Sequence, residues 1–212
     1  MSIEFYYGAG SPYAWRVWLA LEHKKLAYDL KTLSFSAGDT RKPEFVKLNP
    51  RHQVPVIVDN GFVLYESAAI LEYLDEAYPE PSLFPGDKQN RAVIRRMVRE
   101  ADEYYDEVNV KLLMSVLFTK PEEWNESTIA SARDEVIAEL GNWERMLTGD
   151  YFAGQLSAAD FTFYPLLAIA LRCEVKKPGL GLKAALPPKT AAWMQRIESL
   201  PYFKKTWPAH WK

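Results

Sequence analysis

Cysteine is almost missing from this chain: one residue, Cys173, in 212. One thiol excludes a disulfide framework and a cysteine-rich metal site. Cys173 follows the apolar run 166–171 and reads as a small buried hydrophobe. Histidine is scarce too, with His23, His52 and His210 far apart and without the spacing of a metal site or a catalytic triad. No basic surplus exists, because 26 Lys and Arg face 28 Asp and Glu for a net charge of −2. That excludes the cationic face of a nucleic-acid or membrane-surface protein. No apolar run is long enough to span a bilayer. The opening MSIEFYYGAGS has neither the basic nor the apolar segment of a signal peptide. The Asn125-Glu126-Ser127 sequon therefore carries no weight. Internal repeats and low-complexity tracts are absent as well. The expectation is a cytoplasmic protein with no nucleic-acid and no membrane partner.

What the chain does have is apolar mass: 48% hydrophobic and 14% aromatic residues. A sizeable core follows, in one large domain or two small ones. The texture changes along the sequence. Up to residue 78, short β runs alternate with helical patterns: Ile3–Tyr7, Tyr13–Lys24, Tyr28–Leu33, Lys42–Leu48, a β hairpin, and Ser67–Tyr78. Residues 79–87 belong to a stretch dense in Pro and Gly and read as a linker. From 88 to 212 the periodicity is helical throughout, in Gln89–Phe118, Glu122–Leu147, Ala158–Arg172 and Thr190–Leu200. The predicted architecture is βαβ–ββα followed by an all-helical domain.

Local chemistry adds detail. Val54-Pro55-Val56-Ile57-Val58 is strand-like, yet proline cannot donate to a β ladder. Asn60-Gly61 is a tight-hairpin signal. Ser11 precedes Pro12 as a helix N-cap would. Glu66-Ser67 opens a helix, where free amides and the dipole favour an anion. Ser157-Ala158-Ala159-Asp160 is a capping box, so Asp160 is structural. His23 suits the dipole at a helix end.

These pieces resemble a family. FYYGAGSPYAWRV, NPRHQVPVIVDNG, YESAAILEYL and LSAADFTFYPLL occur here in the order and at the spacing seen in cytosolic glutathione transferases. The resemblance covers almost the whole chain. It implies α/β plus all-α architecture: an N-terminal thioredoxin-like domain (1–78) that binds glutathione, then a helical domain (88–212). Class features are mixed, since Ser11 with Arg16 resembles zeta and tau members and NPRHQVP resembles delta or theta ones.

The resemblance implies roles residue by residue. Ser11 would be catalytic, donating a hydrogen bond to the glutathione sulfur, with Tyr7 as the rival. Pro55 would be cis, turning the Val54 backbone to pair with the tripeptide. Ser67 would hold the γ-glutamyl carboxylate and Glu66 its amino group. His52 and Gln53 would reach the glycyl end. Tyr13, Tyr104, Tyr105 and Val108 would line the electrophile pocket, and Asp102 could face the cleft although a solvated helix face explains it as well. Glutathione is the implied co-substrate, with no metal, and a small apolar electrophile is its partner in a detoxifying transferase. The assembly would be a homodimer. Two other readings stand beside this one: a non-catalytic binding or interaction protein of the same fold, and a glutathione-dependent isomerase. SPYAWR lacks the second serine and the cysteine of the isomerase loop.

Overall fold

The computed structural model describes residues 2–211. Two compact units divide it: one runs to Phe84 and takes in the chain again from Leu200, the other is Pro85–Ser199.

The first unit is built on a four-stranded sheet. Its elements are β1 (Ile3–Gly8), α1 (Pro12–His23), β2 (Tyr28–Leu33), a 3-10 turn (Asp39–Arg41), α2 (Pro43–Val46), β3 (Val56–Asp59), β4 (Phe62–Tyr65) and α3 (Ser67–Ala77). Strand order is β2-β1-β3-β4. β2 runs parallel to β1, while β3 and β4 are antiparallel to their neighbours. Alternation along β1 assigns the faces. Phe5 and Tyr7 meet Trp18 of α1 at 6.4 and 4.7 Å between ring centroids. Tyr6 points the other way, 6.0 Å from Phe45 of α2. Helix α3 buries Ile70, Leu71 and Leu74 completely. Lys24, just past α1, has a buried side chain whose Nζ donates to the carbonyls of Tyr78 and Pro81, at 2.6 and 2.7 Å. The end of α1 thereby clasps the linker.

The tail from Leu200 packs in the first unit. Its short helix α9 (Phe203–Thr206) lies on α1. Trp15 of α1 donates its indole N–H to Thr206 Oγ1 at 2.9 Å. His23 Nδ1 sits 3.0 Å from the Tyr202 hydroxyl. Tryptophan needs both a large apolar contact and a partner for its N–H, and this tail supplies both.

The second unit contains α4 (Lys88–Glu100), a π-helical turn (Ala101–Tyr105), α5 (Asp106–Val116), α6 (Glu126–Met146), α7 (Ala158–Lys176) and α8 (Pro188–Glu198). Helix α7 is the axis of its core, buried almost continuously from Ala158 to Ala170 and again at Cys173. Burial pushes the Cys173 thiol up to about 12. The capping box predicted at Ser157 is formed. Asp160 accepts from the Ser157 amide, the Phe152 amide and the Trp193 indole at 2.9, 3.2 and 2.8 Å. Around it, Trp143 stacks on Phe163 at 3.9 Å, with Phe152 and Trp193 edge-on or tilted against them. Among the described residues no helix is long and apolar enough to cross a membrane.

Candidate active site

Strand register brings the sequence-predicted residues to one end of the sheet. Tyr6 pairs with Val56, so two residues further on the line of β3 carries Val54 toward Gly8. Val56 also pairs with Tyr65, so Glu66 and Ser67 leave β4 at that same end. The N-termini of α1 and α3 both start there. Two positive dipole ends then face one region, an arrangement suited to anionic groups.

Ser11 is the N-cap of α1. Its amide donates to the Gly8 carbonyl at 3.0 Å, closing the turn. Its Oγ accepts from the Ala14 amide at 3.3 Å. A hydroxyl carries one donor and two acceptor sites, so accepting from Ala14 leaves the Ser11 proton to give elsewhere. Tyr7 is differently placed. Its ring is buried, its hydroxyl accepts from the Gly10 amide at 3.3 Å, and desolvation raises its pKa. Ionised tyrosine is disfavoured at that position.

The Val54–Pro55 peptide is cis. Val54 lies beyond the last β1–β3 pair, so its backbone is outside the ladder. The preceding loop is tied by Asn49, a buried side chain that sequence reasoning passed over. Asn49 Nδ2 donates to the Gln53 carbonyl at 2.8 Å and its Oδ1 accepts from the Arg51 amide at 2.9 Å. Both ends of one amide thus fix the loop carrying His52 and Gln53. Its only local signal was an Asn-Pro dipeptide, which marks a turn. His52 is exposed with φ +60, and its Nδ1 lies 3.2 Å from the Thr40 carbonyl. Gln53 is exposed.

Glu66 departs from ordinary capping. It occupies the N-cap position of α3, but its side chain makes no cap hydrogen bond and is exposed. Its φ is +70 and ψ 106, a conformation costly for any residue with a Cβ. Ser67 is the first residue of α3 and is buried. The expected pair is therefore split: one strained, outward carboxylate and one buried hydroxyl at a helix start.

The residues expected around an electrophile fall in both units. Tyr13, in the first turn of α1, is half-buried with the Arg16 guanidinium 5.1 Å from its ring centroid. In the second unit Tyr104 is exposed and Val108 half-buried. Tyr105 differs from these two. It is completely buried, 4.8 Å from Phe163, and offers no surface to a ligand. Asp102 is half-buried within the π turn. Among the described residues no three His, Cys, Asp or Glu side chains gather to hold a metal.

Comparison with known proteins adds independent findings. Residues 10–77 match the family model of the glutathione S-transferase N-terminal domain, and residues 97–201 that of the glutathione S-transferase C-terminal domain. Glutathione S-transferase D7 of Drosophila melanogaster is 36% identical over 193 residues, 85% of this chain and 82% of the relative. Glutathione S-transferase A of Pleuronectes platessa is 30% identical over 213 residues, 97% of this chain and 91% of the relative. Among solved structures, a glutathione S-transferase from the Antarctic clam Laternula elliptica superposes with a TM-score of 0.84 at 32% identity, covering 100% of this chain and 94% of that one.

Proposed function

The chain belongs to the glutathione S-transferase family, and from that premise we propose that it joins glutathione to a small apolar electrophile, with Ser11 holding the sulfur as its thiolate. The observation that carries this reading is the Ser11 hydroxyl, which caps α1 by accepting and so keeps its own proton for an anion. A free thiol titrates near ~8.5, and a donor aimed at the sulfur favours the charged form at neutral pH. The start of α1 adds its dipole in the same sense. The thiol proton leaves to solvent, the sulfur lone pair forms the C–S bond, and the electrophile releases its leaving group or takes a proton.

Glutathione then lies across the end of the sheet. The Val54 backbone pairs with the peptide, the Ser67 hydroxyl and the α3 amides take the γ-glutamyl carboxylate, and Glu66 takes the amino group. The strained backbone of Glu66 supports its role, because outliers of that kind persist where function holds them. His52 and Gln53 serve the glycyl end. Tyr13 serves the electrophile. The enzyme works as a cytoplasmic, detoxifying homodimer, and light scattering at micromolar protein should return twice the chain mass.

Ser11→Ala tests the mechanism. Glutathione affinity should persist, since the peptide contacts remain. Turnover should fall by roughly 10²–10³, the usual cost of one anion donor. The kcat/KM profile should move to higher pH, because the thiolate must form unaided. Tyr7→Phe is the control: it should keep the parent's pH profile, because the Tyr7 hydroxyl accepts from the Gly10 amide and gives nothing to the sulfur. A crippled Tyr7→Phe beside an active Ser11→Ala would reverse the assignment.

A further inference from the structure

Gly10, the residue before Ser11, is held from two sides. Below it, the Tyr7 hydroxyl accepts from its amide. On the other side, a Cβ added at Gly10 would stand 3.1 Å from Cε1 and Nε2 of His210 and 3.5 Å from Nε1 of Trp211. An imidazole and an indole from the tail thus cover the Cα of Gly10. The tail that presents them is itself anchored on α1. Trp15 meets Trp207 and Trp211 edge-on at 5.5 and 5.4 Å between centroids. Trp207 donates its indole N–H to the Trp211 carbonyl at 2.8 Å, and the Trp211 amide donates to Pro208 at 2.8 Å. Trp211 is buried, while His210 keeps an exposed edge.

This bracket matters because of what Gly10 is. With φ +87 it sits where glycine alone is at ease, and glycine is the freest link in a chain. Rotation there would swing Ser11 away from its place at the head of α1. The 3.3 Å bond from Ala14 is long for an amide-to-hydroxyl contact and holds the Ser11 side chain weakly. We propose that His210, together with Trp211, is a positioning residue for catalysis: the tail clamps Gly10 and thereby fixes the direction in which Ser11 donates. The proposal rests on the reading of Ser11 as the thiolate's donor. His210 acts here through the bulk of its ring and touches no substrate.

The test is steady-state kinetics with glutathione and one haloaromatic electrophile, on His210→Ala, His210→Phe, Ser11→Ala and the double variant Ser11→Ala/His210→Ala. His210→Ala should lower kcat about tenfold, a loss in the range that small misplacements cause, with KM for glutathione unchanged. His210→Phe should recover most of the loss, because a ring again covers Gly10. In the Ser11→Ala background, His210→Ala should cost nothing further, since no donor remains to be aimed. A crippled Ser11→Ala beside a fully active His210→Ala overturns the tail's role alone. So does a His210→Ala loss that multiplies undiminished in the Ser11→Ala background, or that His210→Phe does not repair. Parental turnover in Ser11→Ala overturns the reading of Ser11, and the tail's role with it.

Discussion

At the scale of single residues, Glu66 separates stability from binding. Its left-handed backbone opposes folding by about 1–3 kcal/mol, the usual cost for a residue with a Cβ. Glycine adopts that conformation without the clash. Glu66→Gly should therefore raise the melting temperature by a few degrees, at ~2–4 °C per kcal/mol for a chain of this size. The same substitution removes the carboxylate proposed for the glutathione amine and should weaken glutathione binding. Calorimetric titration and a thermal melt on one sample read both effects. A lower melting temperature would show that the backbone is not strained, and unchanged affinity would remove Glu66 from the site.

At the scale of elements, legibility followed locality. Helix α1 could be read because Ser11, Pro12 and the apolar positions behind them are neighbours in sequence, and the capping box of α7 because its two members lie three residues apart. The β3–β4 hairpin was legible from Asn60-Gly61, and Asn60 has the positive φ such a turn needs. The π turn at Ala101–Tyr105 left no mark, because apolar periodicity reports an average and not one widened turn. The capping box allows a quantitative test. Asp160→Ala leaves the amides of Phe152 and Ser157 and the indole of Trp193 without their acceptor, all of them buried bonds. Each orphaned buried donor costs about 1–3 kcal/mol, so the loss should exceed the ~1 kcal/mol of a surface cap and lower the melting temperature by roughly 10 °C. A melt that matches the parent would refute the structural role of Asp160.

At the scale of the molecule, one half-buried group and one fully buried group respond to acid in opposite senses. Burial, followed by the charges of Lys24 and Lys25, lowers His23 from 6.5 to about 4. The folded state keeps this imidazole neutral, so its contribution is present above pH 6.5 and is lost as pH falls toward 4. Burial lifts Asp160 from 3.8 to about 6 against the hydrogen bonds it accepts. The folded state holds a proton on this carboxyl up to about pH 6, so its contribution is present below pH 3.8 and is lost as pH rises through 6. The two windows overlap and the slopes have opposite signs. Replacing His23 by glutamine should expose the second slope: relative to the parent, the variant gains melting temperature between pH 6.5 and 4.5. An equal offset at every pH would exclude His23 as the acid-sensitive group. None of this was legible in sequence, where His23 was read as a cation suited to a helix end. What neutralises it is burial near Tyr202, 179 positions away, and local patterns carry no information about such pairs.

The shared membership of the first unit also bears on how the chain is made. Residues up to Phe84 leave the ribosome long before Leu200 does, with the whole of Pro85–Ser199 in between. At ~5–20 residues per second that interval is on the order of ten seconds. Throughout it the nascent sheet and α1 exist without the tail, and Trp15 waits for the hydroxyl of Thr206 and the rings of Trp207 and Trp211. The helical unit, contiguous in sequence, is complete first. A chain released just before Leu200 would therefore display a protected helical unit and a protease-sensitive amino-terminal one.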